Sequence, residues 1–90
     1  MPDEFCMRFN NATQRIFGSS VRPIVLVWET NDRETPWYAQ ARLLGSDGKK
    51  RVLKFDQVSA AKKQKAKDMA AKSGLEWLQS RYPLIDLGGV

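Results

Sequence analysis

The chain has 90 residues, of which 42% are hydrophobic and 28% charged, and its net charge is +5. Its length predicts one domain, residues 1–90, with a modest core. Its only cysteine is Cys6 and it has no histidine, which excludes a disulfide framework, a Cys/His metal site and a His-based catalytic centre. No apolar run approaches the roughly 20 residues that span a bilayer. The N-terminal residues lack the apolar segment of a signal peptide, so we expect an intracellular protein of the cytoplasm or nucleus.

One helix and one strand are predicted in the first third of the chain. The helix runs from Glu4 to about Phe17, with Pro2 and Asp3 as start signals and Gly18 as its stop. The next residues, "SSVRP", are predicted to form a connector. The segment "IVLVWET" is rich in β-branched and aromatic residues, which is typical of a strand.

Two further strands are predicted in the middle of the chain. "NDRETP" is a polar loop, because Pro36 is unsuited to a central strand. "WYAQARLL" alternates between two faces and predicts a second strand. One face consists of Trp37, Ala39, Ala41 and Leu43, and the other of Tyr38, Gln40 and Arg42. "GSDG" predicts a tight turn, after which "KKRVLKF" returns as the third strand.

The last helix is predicted to run to about Ser80, with Asp56 or Ser59 as its cap and Pro83 beyond its end. Its packing stripe is predicted to consist of Ala66, Met69, Ala70, Gly74, Trp77 and Leu78. The complete order predicts an α+β fold, α-β-β-β-α, with both helices on one face of a three-stranded antiparallel sheet. This core spans about residues 4–80, and residues 81–90 form a short tail.

Basic residues concentrate in one part of the chain. The segment 49–72 holds nine Lys or Arg residues against two acidic ones, while the rest of the chain holds six against eight. This clustering of all the excess positive charge is typical of a protein that binds a polyanion. Four lysines lie at the start of the last helix: Lys62, Lys63, Lys65 and Lys67. Their positive charges are unfavourable at the N-terminus of a helix, where the macrodipole is also positive. The free backbone amides of a helix N-terminus and the ammonium groups of lysines can, however, bind phosphate together.

The stretch "KQKAKDMAAKSGLEWL" resembles the last helix of the double-stranded RNA-binding domain, whose signature is a K-K-x-A-K start followed by alanines and leucines. The residues that match this signature are Lys63, Ala66, Lys67, Ala70, Ala71, Leu75 and Leu78. Gln64 stands at the second lysine of the motif. In element order and length, the resemblance extends from the first helix to about Ser80.

The resemblance implies non-enzymatic, shape-selective binding of double-stranded RNA over about 16 base pairs. In this family the last helix contacts phosphates across the major groove, and the first helix and the loop between the first two strands reach successive minor grooves. The candidate RNA-binding residues are therefore Lys62, Lys63, Lys65, Lys67, Gln14, Asn10, Asn11 and Arg33. We expect no catalytic residue, no metal, no cofactor, no small-molecule substrate and no membrane partner.

A second function remains open. The loop "NDRETP" lacks the family's G-P-x-H pattern and leaves Arg33 as its donor, and "FDQVSAA" replaces the family's shorter, glycine-rich lead into the last helix. The first strand is apolar on both faces, and its Leu26 and Trp28 form a candidate protein interface unless the C-terminal tail covers them. The alternative is a protein-interaction or dimerisation module of the same fold, with weak or no RNA binding.

Overall fold

The computed structural model of the protein describes residues 4–45 and 52–85. These residues form two helices and an antiparallel sheet of four strand segments, which confirms the predicted α+β fold. The helices are α1 (Glu4–Phe17) and α2 (Lys63–Arg81), and the strands are β1 (Val21–Glu29), β2 (Trp37–Gly45), β3 (Val52–Lys54) and β4 (Val58–Ala60). A 3-10 turn at Gly18–Ser20 joins α1 to β1. The helices contact each other and the sheet.

Helix α1 ends where the sequence predicts. Gly18 has a φ angle of 62°, a left-handed conformation that glycine adopts far more readily than other residues. A Cβ atom added there would meet nothing within 4 Å. The backbone conformation, and not lack of space, therefore favours glycine at this position. The predicted start signals Pro2 and Asp3 lie outside the described residues.

Strand β1 begins earlier than predicted. Residues 21–23, expected in a connector, pair with residues 43–45 of β2, so the connector prediction is wrong for them. Pro23 cannot donate a backbone hydrogen bond, which restricts it to the edge of a sheet. In the described sheet β1 pairs only with β2 and lies at the edge. The proline is therefore compatible with this strand.

Strand β2 lies in the middle of the sheet, between β1 on one side and β3 and β4 on the other. Its predicted alternation is confirmed, because Ala39 and Ala41 are fully buried and Leu43 nearly so. Val25 and Val27 of β1 pack against the same core. The inward face of the sheet is therefore the one that the sequence predicts.

The third strand continues past its predicted end at Phe55, through a β-bulge, into β4. The pair Arg42–Lys54 belongs to β3 and the pair Ala39–Val58 to β4, so two residues of β2 lie opposite the three residues 55–57. One extra residue on one strand defines a bulge. Part of "FDQVSAA", predicted as a lead-in to the helix, therefore continues the sheet. The predicted "GSDG" turn beyond Gly45 and the strand residues 49–51 lie outside the described residues.

Because of the bulge, the side chains of both Phe55 and Val58 face the core. In a regular strand, Phe55 and Val58 would face opposite sides of the sheet. With the extra residue, Phe55 is buried and Val58 also packs against the core. The side-chain amide of Gln40 donates to the Phe55 carbonyl oxygen at 2.9 Å, and the Phe55 amide donates to the Ala41 carbonyl oxygen at 3.0 Å. The backbone groups of Phe55 thus remain hydrogen-bonded at the interruption.

Helix α2 starts without the predicted cap. Lys62 is its N-cap residue and makes no side-chain cap hydrogen bond. The predictions of Asp56 and Ser59 as caps are wrong, because Ser59 lies within β4 and Asp56 precedes that strand. The first backbone bond runs from the Ala66 amide to the Lys62 carbonyl oxygen, at 3.1 Å. The helix ends at Arg81, close to the predicted Ser80.

The buried side of α2 differs in part from the predicted stripe. Its buried residues are Ala66, Ala70, Ala71, Gly74, Leu75 and Leu78. With 3.6 residues per turn, these positions cover one arc of the helix, and residue 69 lies outside that arc. Met69 is accordingly 37% exposed, so its assignment to the core is wrong. Trp77 lies at the flank, where its ring centroid is 5.3 Å from that of Phe55.

The ring of Phe9 joins α1 to both other parts of the core. Phe9 is 1% exposed, and its ring meets that of Phe55 edge-on, with centroids 6.1 Å apart. It also lies so close to α2 that a Cβ atom on Gly74 would be 2.6 Å from Phe9 Cε1. The buried Thr13 hydroxyl donates to the Phe9 carbonyl oxygen at 2.9 Å. Two helices and the sheet therefore meet at one aromatic ring.

The described part of the C-terminal tail packs on the core. The Tyr82 ring contacts those of Phe17 and Trp77, with centroids 5.5 and 6.4 Å apart. Ile85 also packs against the core, while Leu84 is 99% exposed. Residues 86–90 of the predicted tail lie outside the described residues. Of the helices that the structure describes, none combines the length and apolar character of a membrane span.

Gly74→Ala tests the junction at Phe9. Alanine is favoured over glycine in a helix interior by about 1 kcal/mol, but the new Cβ would lie 2.6 Å from a carbon of the buried ring. Overpacking a core costs about 1–3 kcal/mol. We therefore expect a lower free energy of unfolding, measured by urea denaturation.

Gln79→Ala is the control in the same helix. Gln79 is exposed, so its replacement should change the free energy of unfolding by no more than about 0.5 kcal/mol. A Gly74→Ala protein more stable than the wild type would contradict the close approach of α1 and α2.

Candidate nucleic-acid interface

The first residues of α2 bring together backbone amides and ammonium groups. This segment, Lys62–Lys67, is called the α2 opening. Lys62, Lys63 and Lys65 are exposed and Lys67 is half-buried. The first amides of a helix have no intrahelical acceptors, and Lys62 supplies no side-chain cap. The α2 opening therefore combines the partial positive charge of a helix terminus with formal positive charges.

The four lysines do not all lie on one side. Successive helix residues are rotated by about 100°, so Lys67 lies about 40° from Lys63, whereas Lys65 lies about 200° from it. Lys63 and Lys67 thus share a side and Lys65 points to the other. Lys62 precedes the helix with an extended backbone. The RNA-binding roles of all four lysines stay predictions, and only Lys63 and Lys67 among the helical ones share a side.

Lys63 lies against an aromatic ring. Its Nζ atom is 5.6 Å from the ring centroid of Trp37, within the range of a cation–π interaction. Trp37 is the first residue of β2 and is half-buried against the core. The alternation of β2 predicts Trp37 only as a residue of the core face. Trp37 and Lys63 are separated by 25 residues, so no local pattern signals their contact.

Lys67 lies beside α1. It lines a shallow hollow of about 230 Å³ together with Cys6, Phe9, Asn10, Pro23, Ile24 and Val25. Two of the predicted RNA-binding residues, Asn10 and Lys67, are therefore neighbours although they come from different helices. The hollow lies where α1, α2 and the edge strand β1 meet.

The three candidates on α1 divide into two groups. Asn10 and Gln14 are exposed and, at i and i+4, share one side of the helix. Asn11 is half-buried and lies about 100° from Asn10. Of the three, Asn10 borders the hollow at Lys67. The roles of all three residues in RNA binding stay predictions.

The loop that carries Arg33 is held by hydrogen bonds within itself. The amide of Thr30 donates to the Pro36 carbonyl oxygen at 2.6 Å and closes the loop. The Asp32 carboxylate accepts bonds from the amides of Glu34 and Thr35, at 2.9 and 3.1 Å. Arg33 lies exposed at the tip. The side chain of Asp32 thus shapes the turn that presents Arg33.

The same hydrogen bonds set the charge of the loop. Donation from the backbone amides of Thr35 and then Glu34 lowers the pKa of the Asp32 carboxyl below its ordinary value of 3.8. Asp32 is therefore ionised at neutral pH, directly beside Arg33. With Glu34 the loop holds two acidic residues and one basic residue, so it adds no net positive charge to the interface.

The side of the sheet away from the helices, the open sheet face, carries the candidate protein interface. Trp28 and Tyr38 are partners in the β1–β2 register, and their ring centroids are 6.2 Å apart. Leu26 is 37% exposed and Trp28 is half-buried. Because Tyr82 and Ile85 of the tail pack on the core, the described part of the tail lies elsewhere. Towards β3 this face becomes polar, where Arg42 Nε donates to Gln40 Oε1 at 3.0 Å.

The Asp32 turn predicts a defined response to acid. The pKa of the Asp32 carboxyl is lower in the folded protein than in the unfolded chain, where it is near 3.8. The ionised carboxylate therefore stabilises the folded loop above pH 3.8. This stabilisation is lost as the pH falls through the pKa of the folded protein. We expect the Asp32 carboxyl carbon and the amide protons of Glu34 and Thr35 to titrate together, with a midpoint below 3.8, in an NMR pH series. In Asp32→Asn the acceptor oxygen remains but the two amides should no longer titrate. A midpoint at or above 3.8 would contradict the turn.

The comparisons with known proteins leave the family of the chain open. No model of a protein family matches it, and no curated protein is significantly similar to it in sequence. Within residues 4–45 and 52–85, no group of three or more His, Cys, Asp or Glu side chains is arranged to hold a metal ion. The groups brought together at the α2 opening are ammonium groups and backbone amides, with the Trp37 ring beside Lys63.

Proposed function

We propose that this protein binds double-stranded RNA through phosphate contacts from the α2 opening. The observation that carries the proposal is the shared side of Lys63 and Lys67 at an uncapped helix terminus. Phosphate oxygens accept well from ammonium groups and from the first amides of a helix. Binding of this kind is selective for the shape of the duplex and not for its sequence, and it includes no catalytic step.

The neighbours of the two lysines support this proposal. Lys67 borders a hollow with Asn10 of α1, and Lys63 lies over Trp37, directly after the loop that carries Arg33. The α2 opening therefore lies between α1 and the loop. The resemblance implies the same order, in which the phosphates across a major groove lie between two minor-groove contacts.

The lysines at the α2 opening lower the stability of the helix in the absence of a ligand. Like charges at i and i+4, as in Lys63 and Lys67, destabilise an isolated helix by about 0.2–0.5 kcal/mol. Positive charges in a first turn also oppose the macrodipole. A bound phosphate reverses both terms, because it attracts the ammonium groups and the amide dipoles together. The arrangement is therefore better suited to an anion-bound state than to the free helix.

The amide side chains of α1 suit the minor groove of RNA. Asn10 and Gln14 each carry a donor and an acceptor, and the wide, shallow minor groove of A-form RNA displays 2′-hydroxyl groups that both donate and accept. DNA lacks these hydroxyls and has a different groove shape. A preference for duplex RNA over duplex DNA of equal length follows from the proposal.

Two double variants of equal charge test the proposed contacts. Lys63→Glu with Lys67→Glu reverses the side assigned to RNA. Lys54→Glu with Lys72→Glu reverses two exposed lysines that are not candidate RNA-binding residues, one on β3 and one about half a turn from Lys63 around α2. Each double variant exchanges two positive charges for two negative ones and takes the net charge from +5 to +1. We expect the first to lose about 100-fold in affinity for a duplex of about 16 base pairs, and its salt slope to fall by about two.

The second double variant should lose far less affinity, because only long-range attraction is weakened. Titrations at two salt concentrations, with duplex DNA as a further control, measure both effects. Circular dichroism spectra should show that both variants are folded. Equal losses in the two double variants would show that general charge, and not the Lys63–Lys67 side, attracts RNA.

Docking of a protein or a second copy on the open sheet face stays a prediction. Leu26 and Trp28 supply partly exposed apolar surface there, but nothing in the described residues identifies what covers it. If the chain self-associates on this face, Trp28→Glu should lower the mass measured by analytical ultracentrifugation at high concentration. A wild-type protein that sediments as a monomer throughout would contradict self-association.

A further inference from the structure

We propose that Trp37 is a positioning residue of the RNA site, which holds Lys63 in place and sets the α2 opening beside the Arg33 loop. This inference rests on the proposed binding of RNA. Its physical basis is the contact of Lys63 Nζ with the Trp37 ring, 5.6 Å from the ring centroid.

Trp37 occupies a corner of the fold at which three elements meet. It pairs with Glu29 of β1 and Ala60 of β4, and it packs against the core. The hydrogen bond from Thr30 to Pro36 closes the loop at the residue before Trp37. The same residue therefore follows the base of the loop in the chain and contacts the first residue of α2 through its ring.

An aromatic partner holds a lysine without neutralising it. A carboxylate at this position would orient Lys63 but would also cancel the charge that attracts phosphate. The face of an indole ring attracts the ammonium group through its quadrupole and carries no net charge. Lys63 consequently keeps its full positive charge while its flexible side chain is restricted, which lowers the entropy lost on binding.

A double-mutant cycle separates this role from simple core packing. Trp37→Leu removes the ring face, Lys63→Gln removes the charge, and the double variant removes both. We expect Trp37→Leu to weaken RNA binding about two- to fivefold, the range of a cation–π contact at an exposed site. In the Lys63→Gln background the same substitution should have little further effect. Trp37→Phe, which keeps an aromatic face, should retain most of the affinity.

A second measurement reads the contact in the absence of RNA. In the free wild-type protein, the side-chain protons of Lys63 nearest its ammonium group should be shifted upfield by the ring current of Trp37. This shift should disappear in Trp37→Leu. Since it is an NMR observable of the folded chain, it is independent of whether RNA binds.

Phe5→Leu provides the matched control. Lys72 Nζ is 5.8 Å from the Phe5 ring centroid, and Lys72 lies about half a turn from Lys63 around the helix axis. The substitution removes a lysine–aromatic contact of the same kind, on the side of α2 opposite Lys63. It should leave RNA affinity unchanged.

The outcomes separate the two proposals. If the wild-type protein does not bind duplex RNA, the proposed function is overturned and the role of Trp37 in binding falls with it. If the wild type binds but the costs of Trp37→Leu and Lys63→Gln are additive, the positioning role alone is overturned. The absence of an upfield shift at Lys63 would overturn it as well. Non-additive costs with a shifted Lys63 support it.

Discussion

The close approach of the Phe9 ring to Gly74 is the constraint on which the fold depends. Phe9 is 1% exposed, and a Cβ atom on Gly74 would lie 2.6 Å from its ring, so the helix crossing requires a residue without a side chain. The same ring meets Phe55 of the sheet edge-on. Through these contacts α1 is fixed relative to α2 and to the sheet, and the relative position of Asn10 and Lys67 follows from them.

Small residues let α2 pack close to the sheet. This close packing determines where the first turn of the helix lies. Ala66 and Ala70 of the helix and Ala39 and Ala41 of β2 are all fully buried, and small side chains on both surfaces permit a short separation. The buried alanines begin at Ala66, one turn after Lys62, so Lys62, Lys63 and Lys65 are exposed beyond the core. The residues that stabilise the fold and the residues proposed to bind RNA are therefore adjacent along one helix.

The bulge between β3 and β4 connects the sheet to the proposed site. Without the extra residue, Val58 and Ala60 would face away from the helices, because the side-chain period of a strand is two. With it, Ala60 is buried and pairs with Trp37, and α2 begins three residues later at Lys63. The position of the aromatic ring under Lys63 thus depends on a local irregularity of the strand.

Local pattern in the sequence was sufficient for the two helices, for the presence of the first three strands and for the charged segment. Each of these predictions depends on a few neighbouring residues, which a short stretch of sequence displays directly. Examples are the glycine at the end of α1, Gly18, the alternation of Ala39, Ala41 and Leu43, and the lysines before Ala66. Only the tertiary structure decided the bulge, the exposure of Met69, the uncapped start of α2 and the contact of Trp37 with Lys63. These features depend on the register between strands and on the packing of distant segments, and no short window of residues encodes either.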